Sequence, residues 1–375
     1  QLNWEARREG RSVLALELLL PPERDANLVG SLEFQELRLA SAAPLLPELS
    51  TLEGTLSGKL EIGGTVDLPQ AFGSLNLSGG RVAVVGNPTQ LRSLNLVLDL
   101  QGDRGSLSGS GDLGGGELQL SGELSVRPQW RMTLSLAGKE HTVLYPPATQ
   151  LLLSQELVLS ASAAGLDIAG EIIVHEGVLQ ADDLPEGAVA VSSDIVEVDY
   201  AGNPIRMQLP FDLSMVLAIR LRDRFKVKGA LIDVTLGGEL RLLQKPRRPL
   251  QMFGSLNVVG GELRAYQQRL RVTRGTFSFT GRPDNPSVYV RAQRNIANDN
   301  VEVGVEVQGT LNEMRLDVFS DPVMSQGEAM SYLVRGRGLD ASTGADGTAL
   351  ALSLASTVVN RTTIVSELNR IPGIS

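Results

Sequence analysis

Cysteine is absent from this chain of 375 residues, histidine occurs twice, and aromatic residues make up 4% of it. Without cysteine there are no disulfides, no thiolate catalysis and no thiolate-held metal, although this absence does not identify a compartment. Scarce rings remove the usual anchors of a compact core or small-molecule pocket. No apolar run reaches the roughly 18 residues that cross a bilayer as a helix. Positive charge is not in excess: the formal net charge is −9, which argues against nucleic acid, whose phosphates require a basic surface. The N-terminus, Gln1-Leu2-Asn3-Trp4-Glu5, is no signal peptide and opens almost within a strand, so the chain reads as a fragment of something longer.

What is abundant is one-sided grease punctuated by glycine, of which there are 40. One pattern (glycine, any, apolar, any, apolar, any, any, glycine) occurs at Gly73–Gly80, Gly170–Gly177 and Gly254–Gly261. Its apolar positions lie two apart and share a strand face. Its closing glycine supplies the positive φ of a tight turn, so each copy reads as a strand that then turns back. Unequal spacing between the copies rules out a fixed-period solenoid.

Period-2 alternation dominates. Leu14, Leu16, Leu18 and Leu20 form one series, and Leu94, Leu96, Leu98 and Leu100 another. Leu75 with Leu77, Leu134 with Leu136, the run Leu209, Phe211, Leu213, Met215, Leu217 and Ile219, and Val301 to Val307 continue it. One wet face and one apolar face indicate antiparallel sheet. Turn signals fall at Gly114-Gly115-Gly116, Gly237-Gly238, and the Asn-Pro steps at Asn87, Asn203 and Asn285. This predicts roughly 25 strands, stacked into a sheet on the order of 100 Å long. Past Ser320 the period changes. Ser325 and Glu328 form a capping box before a short helix that Gly336 stops, and a second helix is expected from about Thr348 to Asn369. The helical end reads as a plug capping the sheet or as a docking element. The expected organisation is an elongated β region over 1–200, a second β region over 201–320 and a helical cap over 321–375.

Catalytic constellations are thin. His141 and His175 lie on different expected strands with no supporting ligands and read as surface or strand-edge residues. Asp182-Asp183, and Glu171 with Glu176, are carboxylate pairs of the sort an acidic strand face carries anyway. Gly111–Gly116 lacks the lysine and helix of a phosphate loop and is a turn, and Arg247-Arg248 reads as a solvated loop. No enzyme, cofactor or metal is indicated.

The stretch Gly275-Thr276-Phe277-Ser278-Phe279, then Asn285-Pro286, then Ser320-Asp321-Pro322 and Ser331-Tyr332-Leu333 resembles the C-terminal domain of the TamB family. That resemblance implies a mainly β fold: a long curled, antiparallel-rich sheet (a β-taco) with an apolar interior and a short α-helical segment at the C-terminal end. It further implies a periplasmic protein, held in the inner membrane by an N-terminal helix absent from this chain. Such a protein carries phospholipids between two membranes and supports outer-membrane protein assembly with the barrel partner TamA.

On that reading Leu14, Leu16, Leu18, Leu75, Leu77, Leu94, Leu96, Leu98, Leu100, Leu134, Leu136, Leu209, Phe211 and Leu213 line a lipid lane. Asn95, beside Leu96, marks the wet face. Three alternatives remain: the apolar rows face each other in a closed sandwich, the chain is a membrane barrel, or it is a structural rod. The barrel would need aromatic girdles that this composition does not supply.

Overall fold

A computed structural model of the chain describes residues 2–8, 11–19, 27–145, 149–180, 212–230, 232–265 and 268–338. Its strands are β1 (Leu2–Arg8), β2 (Arg11–Leu19), β3 (Val29–Arg38), β4 (Leu49–Gly64), β5 (Pro69–Val84) and β6 (Gln90–Gly102). They continue as β7 (Arg104–Leu113), β8 (Gly116–Ser125), β9 (Arg131–Tyr145), β10 (Thr149–Ser162), β11 (Gly165–Gln180) and β12 (Leu213–Lys228). The last six are β13 (Ile232–Gln244), β14 (Gln251–Ala265), β15 (Gln268–Gly281), β16 (Ser287–Ile296), β17 (Val301–Thr310) and β18 (Glu313–Asp321). A short 3-10 helix, Leu39–Leu45, links β3 to β4, and α1 (Gln326–Arg335) follows β18.

All belong to one sheet of 18 strands in which each strand pairs with its neighbours in sequence. Every pairing is antiparallel except β11 with β12, which is parallel. β1 pairs only with β2 and β18 only with β17, so among the described residues the sheet is not closed into a barrel. Among the described residues the strands number 18, against the roughly 25 expected for the whole chain. Strands reach 16 residues because they run straight through glycines that resemble turns in sequence.

Gly237 and Gly238 lie inside β13, and all three copies of the glycine pattern end inside a strand. They are β-bulges, not hairpins. In β5, Ser78 and Gly79 lie between Leu77↔Leu96 and Gly80↔Leu94, facing the single residue Asn95. In β11, His175 is the extra residue between Val174↔Leu153 and Glu176↔Leu152. In β14, Val259 is extra between Val258↔Leu236 and Gly260↔Thr235. Gly79 has φ +61°, so its positive φ serves a bulge where a turn was expected.

Similar shifts occur at Gln35–Glu36 in β3, Ser93–Leu94 in β6, Lys139–Glu140 in β9, Arg222–Arg224 in β12 and Thr273 in β15. Three of these hold a non-glycine residue in the left-handed region: Glu36, Ser93 and Glu140. Adjacent strands carry their bulges at adjacent heights. Because a bulge bends its strand, the result is a crease running across the sheet. The curl therefore comes from a row of local bends.

The expected N-cap is present: Ser325 Oγ accepts from Glu328 N at 3.3 Å, and Gly336 ends α1 in the left-handed conformation. Gly114 and Gly115, both at positive φ, make the two-residue turn between β7 and β8. The helix expected from Thr348 to Asn369, the turn at Asn203-Pro204, and Leu209 and Phe211 lie outside the described residues.

Candidate functional site

Register places inward residues of successive strands side by side. One row runs Leu16, Leu32, Leu60, Gly73, Leu100, Gly105, Leu124, Met132, Ala161, Leu166, Leu213. The next runs Leu14, Phe34, Gly58, Leu75, Leu98, Leu107, Gly122, Leu134, Leu159, Ile168, Met215. A third runs Leu37, Leu56, Leu77, Leu96, Gly109, Leu120, Leu136, Leu157, Gly170, Leu217. No charged or hydrogen-bonding side chain interrupts them. From β2 to β12 the first two rows cover about 48 Å at 4.8 Å per strand.

Most of these side chains are neither sealed nor free. Leu14, Leu16, Leu75, Leu77, Leu96, Leu98, Leu100, Leu134, Leu136 and Leu213 are all half-buried. Leu18 is half-buried in the adjoining row, opposite Gly30, whereas Leu94 is buried on the far side of the crease, opposite Gly80. Glycines keep the face smooth. At Gly109 a Cβ would stand 2.3 Å from Asn95 O and 2.5 Å from Leu96 Cδ2, so the leucine lies across the glycine.

Leu56, Leu60, Leu107, Leu120, Leu157, Leu159 and Ile168 belong to these rows equally, yet the sequence reading did not single them out. Glycine takes every second inward place on several strands and hides their alternation; only register reveals it.

Asn95 is not a neutral marker of the outer face. Its Oδ1 accepts from Gly79 N at 3.2 Å and its Nδ2 donates to Ser93 O at 2.9 Å, clamping the bulges of β5 and β6. Val97, 37% exposed between Asn76 and Ser108, is the better outer-face reference. The outer face also holds a shallow polar depression of about 460 Å³ lined by Asp99, Arg104, Glu123 and Arg131.

A polar pair sits where the apolar rows meet the crease. His141 is 1% exposed and Gln155 9%, on adjacent strands β9 and β10. His141 is thus buried, not a surface residue as expected, and burial pushes its pKa below the ordinary imidazole value. It fits because Gly116 and Gly138 leave room: a Cβ on Gly138 would stand 3.0 Å from the imidazole Cε1 and 2.7 Å from Gln155 Nε2. His175 occupies the β11 bulge, with Nε2 2.8 Å from Ser154 Oγ. On the outer face Arg220 bridges three strands, 2.7 Å from both Glu171 and Glu239. Glu171 is therefore held in a structural ion pair. Arg247, in the loop between β13 and β14, pairs with Asp212 at 3.2 Å.

The C-terminal signature residues hold one end of the sheet together. Asn285 Oδ1 accepts from Asn312 N at 3.0 Å and Pro286 O accepts from Leu311 N at 3.0 Å, tying the β15–β16 turn to the β17–β18 turn. Ser320 Oγ accepts from Met324 N at 3.2 Å, and the Asp321-Pro322 step then leads into α1. Tyr332 and Leu333 bring α1 onto a core of Leu270, Val272, Ala292, Val303 and Val305. Leu270, Ala292, Val303, Val305 and Leu333 are all 0% exposed.

One creased sheet, unclosed among the described residues, apolar on a single face and with a short helix packed at its C-terminal end, defines an elongated β protein. A family model of the TamB C-terminal domain matches residues 104–374, and one of the TamB N-terminal domain matches residues 1–77. The chain belongs to the TamB family. It is 25% identical over 347 residues to the translocation and assembly module subunit TamB of Haemophilus influenzae, covering 87% of this chain and 27% of that protein. The chain thus spans about a quarter of the length of this curated relative. Among the described residues no helix is long and apolar enough to cross a membrane.

Proposed function

We propose that this chain is one span of a periplasmic bridge that carries phospholipids between the inner and outer membranes on its apolar face. We further propose that it serves outer-membrane protein assembly with TamA; the relative's name makes that protein a subunit of a translocation and assembly module. One observation supports this most strongly: three unbroken apolar rows, mostly half-buried, cross ten or eleven strands without a charge. A phospholipid with about 30 buried methylenes, at about 0.8 kcal/mol each, resists entering water by more than about 20 kcal/mol. A carrier therefore needs continuous apolar cover, and a single charge in the lane is a barrier. Headgroups remain in water while acyl chains slide along leucine and glycine. No cofactor or catalytic group takes part in this mechanism.

The test is site-specific photo-crosslinking in cells with the probe at Leu96 and, for comparison, at Val97. Phospholipid adducts at Leu96 alone are expected. Adducts at neither position in folded protein would overturn the lane and leave a scaffold whose clients are protein strands.

A further inference from the structure

The apolar rows do not stay half-buried to the end of the sheet. In β5 to β10 their leucines are half-buried, but further along the sheet several inward residues are sealed, Phe279 at 8% exposed, Val288 at 4%, and Val303 and Val305 at 0%, while Leu256, Phe277 and Val290 pack half-buried against that core. Side chains from both sides of the crease join one cluster here, and Leu333 of α1 lies within it. Two side chains hold the last turn of that helix. Gln268 Nε2 donates to Val334 O at 3.0 Å, and Arg294 donates to Leu333 O at 3.2 Å and also to Gln268 Oε1. A guanidinium at a helix C-terminus also meets the negative end of its dipole. β15, β16 and α1 are thereby fastened through four polar groups at the edge of an otherwise apolar seal.

We infer that α1 is a latched stopper: it closes the acyl-chain route over β15–β17, and lipid reaches the inner face of those strands only when the Gln268–Arg294 latch lets go. This rests on the lipid-carrying reading and adds where the route stops and which contact controls it. With α1 seated, acyl chains on the rows of β2–β11 must leave over the free margin of the sheet. A partner that took the two helix carbonyls from Arg294 and Gln268 would open the remaining length.

Photo-crosslinking probes at Leu96 and Phe277, in the protein as cells make it, test this. Lipid adducts are expected at Leu96 and not at Phe277. In the Gln268→Ala/Arg294→Ala variant, amide-exchange protection over residues 326–335 is expected to fall by at least tenfold, with adducts appearing at Phe277. Adducts at Phe277 in the unaltered protein would overturn the stopper. So would their continued absence once protection is lost, and unchanged protection in the variant would overturn the latch. Adducts at neither Leu96 nor Phe277 would sink the carrier reading and the stopper with it.

Discussion

Two stretches of one sheet use the same strand pattern to opposite ends. In β2–β11 the inward face is mainly leucine and glycine, and most of its leucines keep part of their surface accessible. In β13–β18 valine, isoleucine and phenylalanine join leucine, α1 packs against β17 and β18, and residues such as Leu270 and Val303 lose all exposure. Alternation of apolar and polar residues decides which face is greasy but does not decide whether that face is filled. A covering element decides that.

The comparison can be broken most forcefully at Leu333. Leu333→Asp places an unpaired charge in a site with no solvent, which costs about 4 kcal/mol or more. Amide exchange is expected to show β14–β18 and α1 losing protection while β4–β9 keep theirs. Equal loss along the whole sheet would mean that the two stretches do not differ in this way.

Truncation sharpens the contrast. Leu333→Ala is expected to cost about 2–5 kcal/mol, as deletions from sealed cores do. Leu98→Ala in the half-buried lane is expected to cost only about 1 kcal/mol, because less apolar area is lost. Denaturant titration of the two variants measures both, and equal costs would show that the lane is packed as tightly as the core.

A subtler test concerns the crease. His141 is buried with its pKa depressed, so as pH falls below about 6.5 the unfolded chain takes up a proton that the folded chain refuses. Stability therefore drops on acidification, and His141→Gln is expected to flatten that part of the profile of Tm between pH 7 and 5. The smallest expected effect is at Ser93, held at φ 50° in the β6 bulge. Ser93→Gly relieves about 1 kcal/mol of left-handed strain, partly offset by glycine's greater freedom in the unfolded chain. A small rise in Tm would confirm a relaxed bulge.

Much of this was legible beforehand. Period-2 leucines marked β2, β5, β6, β9 and β12 and the inward side of each, and Ser325 with Glu328 marked the start of α1 to the residue. The glycine pattern misled because glycine suits an interior bulge as well as a hairpin, as Gly79 does in β5. Which one forms depends on whether the partner strand continues alongside, and that is a non-local fact. The rows were only half visible for the same reason: Leu107 looks isolated between glycines until register sets it beside Leu98 and across from Gly122. Nothing local announces that His141 is buried, since its pocket is made by two glycines, one on another strand.

Pairing almost wholly between neighbours in sequence has a consequence for growth. Each added hairpin contributes one inward residue per row from each strand and about 9.6 Å of reach, and it touches only the strands on either side. Such a sheet can be lengthened or shortened by whole hairpins, like a ruler cut at its gradations, with the remaining strands in phase. The span between two surfaces then becomes a quantity written directly in the number of hairpins, independent of how either end is finished.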